Sequence, residues 1–440
     1  MAADYVIVGS GVAGIAAAEA LRARAPGASI TIVTEDADGF YSRPGLAYYL
    51  SGTIPEKQLF LRSQADLRNL GLRWVQARAT QIDVVGHRLV LADGRNLTYD
   101  KLLIATGARA AAPDCPGGDL DGVFTLDTLG DAKRLVRKAN NSDQAVVVGG
   151  GITALELAEG LHARGVNVHY LLRGARYWSN VLDAEESHLV EDHLRSDGVE
   201  LHYHARVRQA LGKKGKLIAV ETDSGEQISC QILAVAIGTR PHLDLARAAG
   251  IKVDRGILTD AYLRTSAPDI LAAGDVAQVY DERSGIASLD TLWPTARAHG
   301  EAAAATMSGA PAPYQRTAAM NVTLIANIPT TIIGALGSGS DEDLVAIARG
   351  DSESWRGAKP AWVIVEQHEV NRVRLMLGER TISGALVMGD QTLSRPLHRL
   401  IAAEADISPI RDALLADQHA MPQLIAAFAD EWERSHAHNA

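Results

Sequence analysis

Two segments of the chain repeat one local design. "DYVIVGSGVAGIAAAEALRARAPGASITIVTE" reads as strand, glycine turn, helix and strand, and "AVVVGGGITALELAEGLHARGVNVHYLLR" reads the same way. Few features restrict a fold so tightly. A parallel strand pair joined by a helix closes with one handedness and leaves its turn at one end of the sheet. In the first copy Tyr5 to Val8 makes a buried strand, Gly9, Gly11 and Gly14 give GxGxxG spacing, and Ile15 to Arg24 has helical periodicity. The first glycine allows the tight turn and the second lets backbone approach a pyrophosphate. The third lets helix and strand pack closely, so that phosphates meet a helix N-terminus. In the second copy Gly149, Gly151 and Ala154 take these places, alanine being accepted at the third.

The copies finish on opposite charges. Glu35 ends the second strand of the first copy; Arg173, followed by Arg176, ends that of the second, whose loop is shorter. This strand end faces the adenosine ribose, where a carboxylate accepts from free hydroxyls and a guanidinium pairs with a 2'-phosphate. The first site therefore suits FAD, and the second favours NADPH over NADH. The alternative for Arg173 and Arg176 is a solvated strand end that tolerates either nucleotide.

Further strands complete the pattern. "TYDKLLIATGARA" runs into Thr106-Gly107, where glycine lets backbone pass close to a bound nucleotide, and "SAPDILAAGDVAQ" ends on Gly274-Asp275, whose carboxylate is suited to ribitol hydroxyls. "ILAVAIGTRP" closes the second copy as "LLIATGARA" closes the first half of the first. The expectation is an α/β fold with two Rossmann-like dinucleotide-binding domains, one inserted in the other: residues 1–111 with 242–316 for FAD, and 112–241 for NAD(P)H. After "GAPAPYQ" the pattern becomes strands and hairpins with a closing helix. This predicts a C-terminal α+β domain over 317–402 and an acidic helical tail over 403–440. In the tail, Pro409 is expected at a first helical position. Leu414, Leu415, Leu424, Ile425, Phe428 and Trp432 mark amphipathic helices, packed on the chain's own surface or docked to another subunit.

A formal charge of -10 argues against nucleic acid or an anionic membrane as the main partner. No apolar segment is long enough to span a bilayer, and "MAADYVIVGSGVAG" enters a strand with no leader, so a cytoplasmic location is expected. Cys115 and Cys230 form no CxxC pair and read as two free thiols in a reducing compartment. His436 and His438 make no metal site without further ligands, and no metal is expected.

GSGVAG, YSRPGL, IATGAR, GGGITALE, AGDVA and LWPTARAHG, in this order, resemble the pyridine nucleotide–disulfide oxidoreductase superfamily. Within it the chain is similar to the rubredoxin- and ferredoxin-reductase-like branch, which includes the flavin portion of assimilatory nitrite reductases. The resemblance runs from Asp4 to about Leu400. It implies that Arg43 and Pro44 lie along the flavin. It also implies that Glu156, at the start of its helix, lies close to flavin and nicotinamide; the competing account is an acid that merely suits a helix N-terminus. Trp293, Pro294 and Thr295 would start a helix aimed at the pyrimidine edge of the flavin, against the plainer account of a buried Trp-Pro helix start. "GFYSRPGLAYYLSG" lacks the redox cysteine of the disulfide reductases, so a thiol relay is excluded, and Tyr48 stands where several ferredoxin reductases have a lysine.

The implied activity is that of an FAD-dependent NAD(P)H oxidoreductase. Hydride passes from nicotinamide to flavin, and electrons leave to a rubredoxin, a ferredoxin or an iron–sulfur partner subunit. A homodimer or a place in a larger redox complex would suit it. Two other readings differ at the exit: an NAD(P)H oxidase or quinone reductase with a small acceptor, and a flavin-based nucleotide-sensing binding protein.

Overall fold

The computed structural model describes residues 3–336, 362–368 and 370–436. β1 (Asp4–Val8), α1 (Val12–Arg24) and β2 (Ser29–Thr34) form the first glycine-turn unit. β1 is the centre of a five-stranded parallel sheet in the order Ile270–Ala272, Lys101–Ile104, β1, β2, Arg73–Gln76. A sheet covered on both faces needs strands that are apolar throughout, and Val6, Ile7, Ile30, Ile32, Leu102 and Leu103 are accordingly buried. α1 is not amphipathic, because alanines cover it on several sides. It lies between this sheet and a later helix, and residues as small as Ala13, Ala16 and Ala17 allow that approach. A short helix, α2 (Gly45–Ser51), follows the Arg43-Pro44 pair.

The second unit repeats the first. β3 (Gln144–Val148), α3 (Ile152–His162) and β4 (Asn167–Leu171) are followed by α4 (Ala184–Ser196) and β5 (Glu200–His202). Its parallel sheet runs β5, β4, β3, Ile232–Val235, Val123–Phe124. An antiparallel meander over Val207–Ser229 covers one face, packing Ala210, Val220, Ile228 and Cys230 on Val146 and Leu233. The chain passes between the two units through an antiparallel ribbon, Ala108–Ala110 paired with Thr239–Pro241. It then returns to the first sheet and enters α5 (Trp293–Met307). The backbones of α1 and α5 touch: a Cβ on Gly300 would stand 2.2 Å from the Ala13 carbonyl oxygen.

The described C-terminal strands form an antiparallel sheet, Met320–Ile325, Ile328–Gly334, Ile382–Met388, Asn371–Leu377, Trp362–His368, backed by a helix over Ser394–Ala402. Residues 337–361 of the expected 317–402 domain lie outside the described residues, as does His438. The tail makes two helices, Ser408–Ala416 and Met421–His436. Leu414, Met421, Ile425 and Ala429 are buried in the core of this sheet, with Leu415, Leu424, Phe428 and Trp432 partly buried beside them. The apolar stripe of the tail thus packs on its own chain. Pro409 occupies the second rather than the first helical position, where its missing N–H is equally without consequence.

One hydrophobic core joins all three regions. Tyr41, Leu46, Leu50 and Leu59 of the first, Val147, Leu155 and Leu161 of the second, and Ile325, Ile332, Leu386 and Met388 of the third belong to it. Two arginines of the C-terminal sheet, Arg372 and Arg374, reinforce that join on α4, whose start is a reciprocal cap between Asp183 and Glu186. Among the described residues, no helix is long and apolar enough to cross a membrane.

Candidate active site

The glycines of the first turn divide by purpose. Gly9 has φ +114, and a Cβ there would meet the Ala105 carbonyl oxygen at 2.1 Å; a Cβ on Gly14 would meet the Gly9 oxygen at 2.1 Å. Both are required by the protein's own packing. Gly11 is different. Its φ of -72° is open to any residue, and a Cβ there would find nothing within 4 Å. The absent side chain leaves free space over the N-terminus of α1, as a dinucleotide pyrophosphate needs. The second turn is crowded at its first glycine in the same way and opens at the residue after it. A Cβ on Gly149 would stand 2.3 Å from the Ala236 oxygen and 2.7 Å from the buried Ala154 Cβ, while Gly150 opens to empty space and Gly151 caps α3 in extended conformation. Both cradles therefore fit a dinucleotide.

Strand register brings the two charged ends into correspondence. Val8 pairs with Val33 and Val148 with Leu171, each strand residue preceding a turn glycine. Glu35 and Arg173 each lie two residues beyond the partner, so they hold equivalent places. Both are exposed. Glu35 has Arg78 4.0 Å away, and Arg176 donates to the Ser179 carbonyl at 3.3 Å, its Nε being buried without a hydrogen-bond partner.

Three other segments converge on α1. Gly274, at φ +77, has Ala13 and Ala296 as its neighbours, so Gly274-Asp275 sits between the starts of α1 and α5. Trp293, Pro294 and Thr295 are the first residues of α5, and the Trp293 ring stacks on Phe40 at 6.0 Å. Gly107, at φ +65, opens to empty space beside Thr106, whose hydroxyl donates to the His242 carbonyl at 3.4 Å.

Arg43 is held by residues that sequence reasoning did not find. Its guanidinium donates to the Asp127 carbonyl at 2.6 Å and faces the carboxylates of Asp127 and Asp36 at 3.6 and 3.9 Å. The Tyr41 hydroxyl donates to Asp36 at 3.0 Å and accepts from the Leu129 N–H at 3.1 Å; burial pushes it up to about 12. Half-buried His242 is shifted down by burial first and then by Arg109, with Asp127 and Glu35 opposing. Asp127 is separated from Arg43 by most of the first unit, so no local pattern could pair them. Pro44 precedes the first residue of α2 and sets the chain direction into it.

α2 packs on α3 at close range: a Cβ on Gly160 would lie 2.7 Å from Leu50. Arg164 fastens the pair, donating to the carbonyls of Leu50 at 2.5 Å and Tyr49 at 3.1 Å. This brings Tyr48 into the field of Glu156 and Glu159, which, after burial, raise its hydroxyl above the usual range. Glu156 does not start its helix. α3 begins at Ile152, directly after Gly151, so Glu156 lies in the second turn and the first turn holds no acid. The helix-terminus account of Glu156 falls with that placement, since the dipole acts within the first turn.

Glu159, one turn further, has a buried Oε1 without a hydrogen-bond partner. Burial first, then Asp197, raise its carboxyl to about 7, against the Ala326 and Asn327 N–H groups. A carboxyl raised in the folded state is stabilising while protonated, and that contribution is lost as pH climbs from about 4.5 to about 7. Denaturant unfolding should therefore show stability falling by about 2–3 kcal/mol across this window. Glu159→Gln, which keeps the acceptor for both N–H groups, should flatten the profile; an unchanged slope would assign it to other groups.

The two thiols are remote in type and place from this chemistry. Burial raises both, Cys230 to about 12, and both lie against the meander of the second sheet rather than beside Ser42–Pro44.

Comparison with known proteins agrees with this geometry. Over 275 residues the chain is 34% identical to a rubredoxin-NAD(+) reductase of Pseudomonas putida, covering 62% of this chain and 71% of the relative. Over 356 residues it is 33% identical to the ferredoxin–NAD(+) reductase component of the biphenyl dioxygenase system of Paraburkholderia xenovorans, covering 79% and 84%. Its fold matches the reductase in the crystal structure of the covalent putidaredoxin reductase–putidaredoxin complex with a TM-score of 0.85 at 25% identity, covering 97% of this chain and 99% of that one. Residues 3–300 match the profile of the pyridine nucleotide-disulphide oxidoreductases, and the chain belongs to that family.

Proposed function

We propose that the protein is an FAD-dependent NAD(P)H oxidoreductase that passes electrons to a small iron–sulfur protein. The observation that carries this is the pair of matched cradles, each with a glycine the fold does not require, in a chain whose two thiols lie elsewhere. The relatives named for rubredoxin and ferredoxin support the choice of acceptor. On this reading residues 1–111 with 242–316 hold FAD and 112–241 hold NAD(P)H. Residues 317–402 cover the flavin, receive the acceptor or pair with a second copy. Two free thiols, Cys230 buried and Cys115 partly so, suit a cytoplasmic setting.

The geometry supports an assignment of roles. Gly9, Gly11 and Gly14 admit the FAD pyrophosphate to the N-terminus of α1, Glu35 accepts from its ribose, and Asp275 accepts from the ribitol chain. Thr106 and Gly107 let backbone run beside it. Arg43, neutralised on one side by Asp36 and Asp127, lies with Pro44 along the ring. Trp293, Pro294 and Thr295 present the positive end of α5, where negative charge is stabilised. Gly149, Gly151 and Ala154 admit NAD(P)H to α3, and Arg173 and Arg176 bind its 2'-phosphate. Glu156, with Tyr48 opposite, closes the space where the nicotinamide arrives and keeps water from it. When bound, the flavin supplies a two-electron acceptor for reduced nicotinamide and a one-electron donor for the partner.

Stopped-flow mixing of the FAD-loaded protein with NADPH should bleach the flavin within milliseconds, and a reduced iron–sulfur protein should appear on adding one as acceptor. Slow bleaching would favour a sensor, and reduction of quinone alone would favour a small-molecule acceptor. Arg173→Glu with Arg176→Ala should lower the NADPH/NADH ratio of kcat/KM by about 1.5–3 kcal/mol, or roughly 10–150-fold. An unaltered ratio would show that these arginines only face solvent.

A further inference from the structure

The outer edge of the second parallel sheet carries a side-chain cluster that the redox chemistry does not use. Val146 pairs with His169, His169 with Glu200, and Leu171 with His202. Side chains alternate along a strand and match across a pair, so Gln144, His169, Glu200 and His202 all lie on one face. It is the face covered by the meander, and the cluster sits at its margin, with Glu226 of the meander nearby.

The distances are those of a coordination set. His169 Nδ1 stands 3.1 Å from His202 Nε2 and 3.2 Å from one Glu200 carboxylate oxygen. The other oxygen is 3.4 Å from His202 Nε2. Ligands held 2.0–2.1 Å from a tetrahedral ion lie about 3.3 Å from one another. Three groups from three strand positions thus stand at about the spacing of three corners of such a tetrahedron, with Glu200 turning one oxygen to each ring.

The groups behind them suit the same role. His169 Nε2 lies 3.2 Å from Gln144 Oε1, which only accepts, so the ring proton belongs there and Nδ1 presents its lone pair inward. Glu226 stands 4.0 Å from His202 Nδ1 and favours the proton on that nitrogen, leaving Nε2 inward. Metal-bound histidines have outer partners of this kind. The rings are largely buried, with side-chain exposures of 20% and 13%, whereas Glu200 is 64% exposed, so water has access to the fourth corner.

We propose that His169, Glu200 and His202 bind a divalent ion of the zinc class, with water completing the tetrahedron. The ion ties edge strand β5 to β4. Beyond β5 the chain is already joined to the loop bearing Arg173: the His202 carbonyl accepts from the Leu172 N–H at 2.8 Å, and the His204 N–H donates to the Gly174 carbonyl at 3.1 Å. Metal at the edge therefore braces the loop that ends the second nucleotide cradle.

The test is calorimetric titration of Zn2+ into the FAD-loaded full-length protein, without a histidine tag. One saturable equivalent is expected, with a Kd of about 1 µM or tighter. His169→Ala and His202→Ala should each abolish it. Gln144→Leu should weaken it about 10–100-fold by freeing the His169 ring. His202→Cys should retain it, because a thiolate is also a zinc ligand, a rescue that a purely packing role for His202 does not allow. If the alanine variants fail to fold, Glu200→Gln on the exposed rim decides, with an expected loss of at least about tenfold. Absence of a saturable equivalent would overturn the proposal. So would binding left undiminished by His169→Ala or Glu200→Gln, since the ion would then sit elsewhere on the chain.

Discussion

Glu186→Ala should lower the unfolding free energy by about 3–5 kcal/mol, measured by urea denaturation followed by circular dichroism. Glu186 is 0% exposed and serves two structures at once. Its carboxylate accepts from the Asp183 N–H at 2.8 Å, completing the cap of α4, and receives Arg374 at 2.8 and 3.0 Å and Arg372 at 3.4 Å. Removing it strands two guanidinium groups that are 5% and 6% exposed, with Asp183 as their remaining carboxylate. A desolvated charge without its partner costs far more than the pair contributes. Glu186→Gln keeps an acceptor for the cap but loses the charge and the second acceptor, which faces Arg372 and Arg374, so its loss should be smaller than that of alanine without vanishing. A loss under about 1 kcal/mol in the alanine variant would mean that water reaches these arginines.

Gly11→Val should yield a folded but colourless protein. The backbone at Gly11 already has dihedrals that suit valine, and the space beyond is empty of protein atoms. Thermal and urea unfolding of the apoprotein should therefore stay within about 0.5 kcal/mol of the parent. FAD affinity, by contrast, should fall roughly 100-fold or more, about 2.7 kcal/mol, because the branched side chain fills the path of the pyrophosphate. Gly14→Ala provides the contrast: its Cβ would lie 2.1 Å from the Gly9 carbonyl oxygen, so the apoprotein itself should be damaged. Retention of yellow colour by Gly11→Val would place the flavin phosphates elsewhere.

What the sequence revealed and what it hid divide along physical lines. The glycine turns, the buried strands around them and the start of α5 at Trp293 follow from short-range rules, and register then makes Glu35 and Arg173 equivalent. The misplacement of Glu156 was also local, since a helix beginning directly after Gly151 leaves it a turn inside. Contacts made across the fold left no such trace. Arg374 meets Glu186 from a different region, Asp127 meets Arg43 across the first unit, and Glu200 meets His169 only because β4 and β5 are neighbours. Glu159 reads in sequence as one more polar helix residue; burial in the folded chain and the approach of Asp197 make its carboxyl unusual, while the Ala326 and Asn327 N–H groups oppose them.

The apolar core that joins α2, the second parallel sheet and the C-terminal sheet has a kinetic meaning. Leu50 against Gly160 and the Arg164 clasp fix the gap between the two cradles when the chain folds. On the proposed function, donor and acceptor rings would meet across a separation set at folding, with no hinge between α2 and α3 left to swing shut.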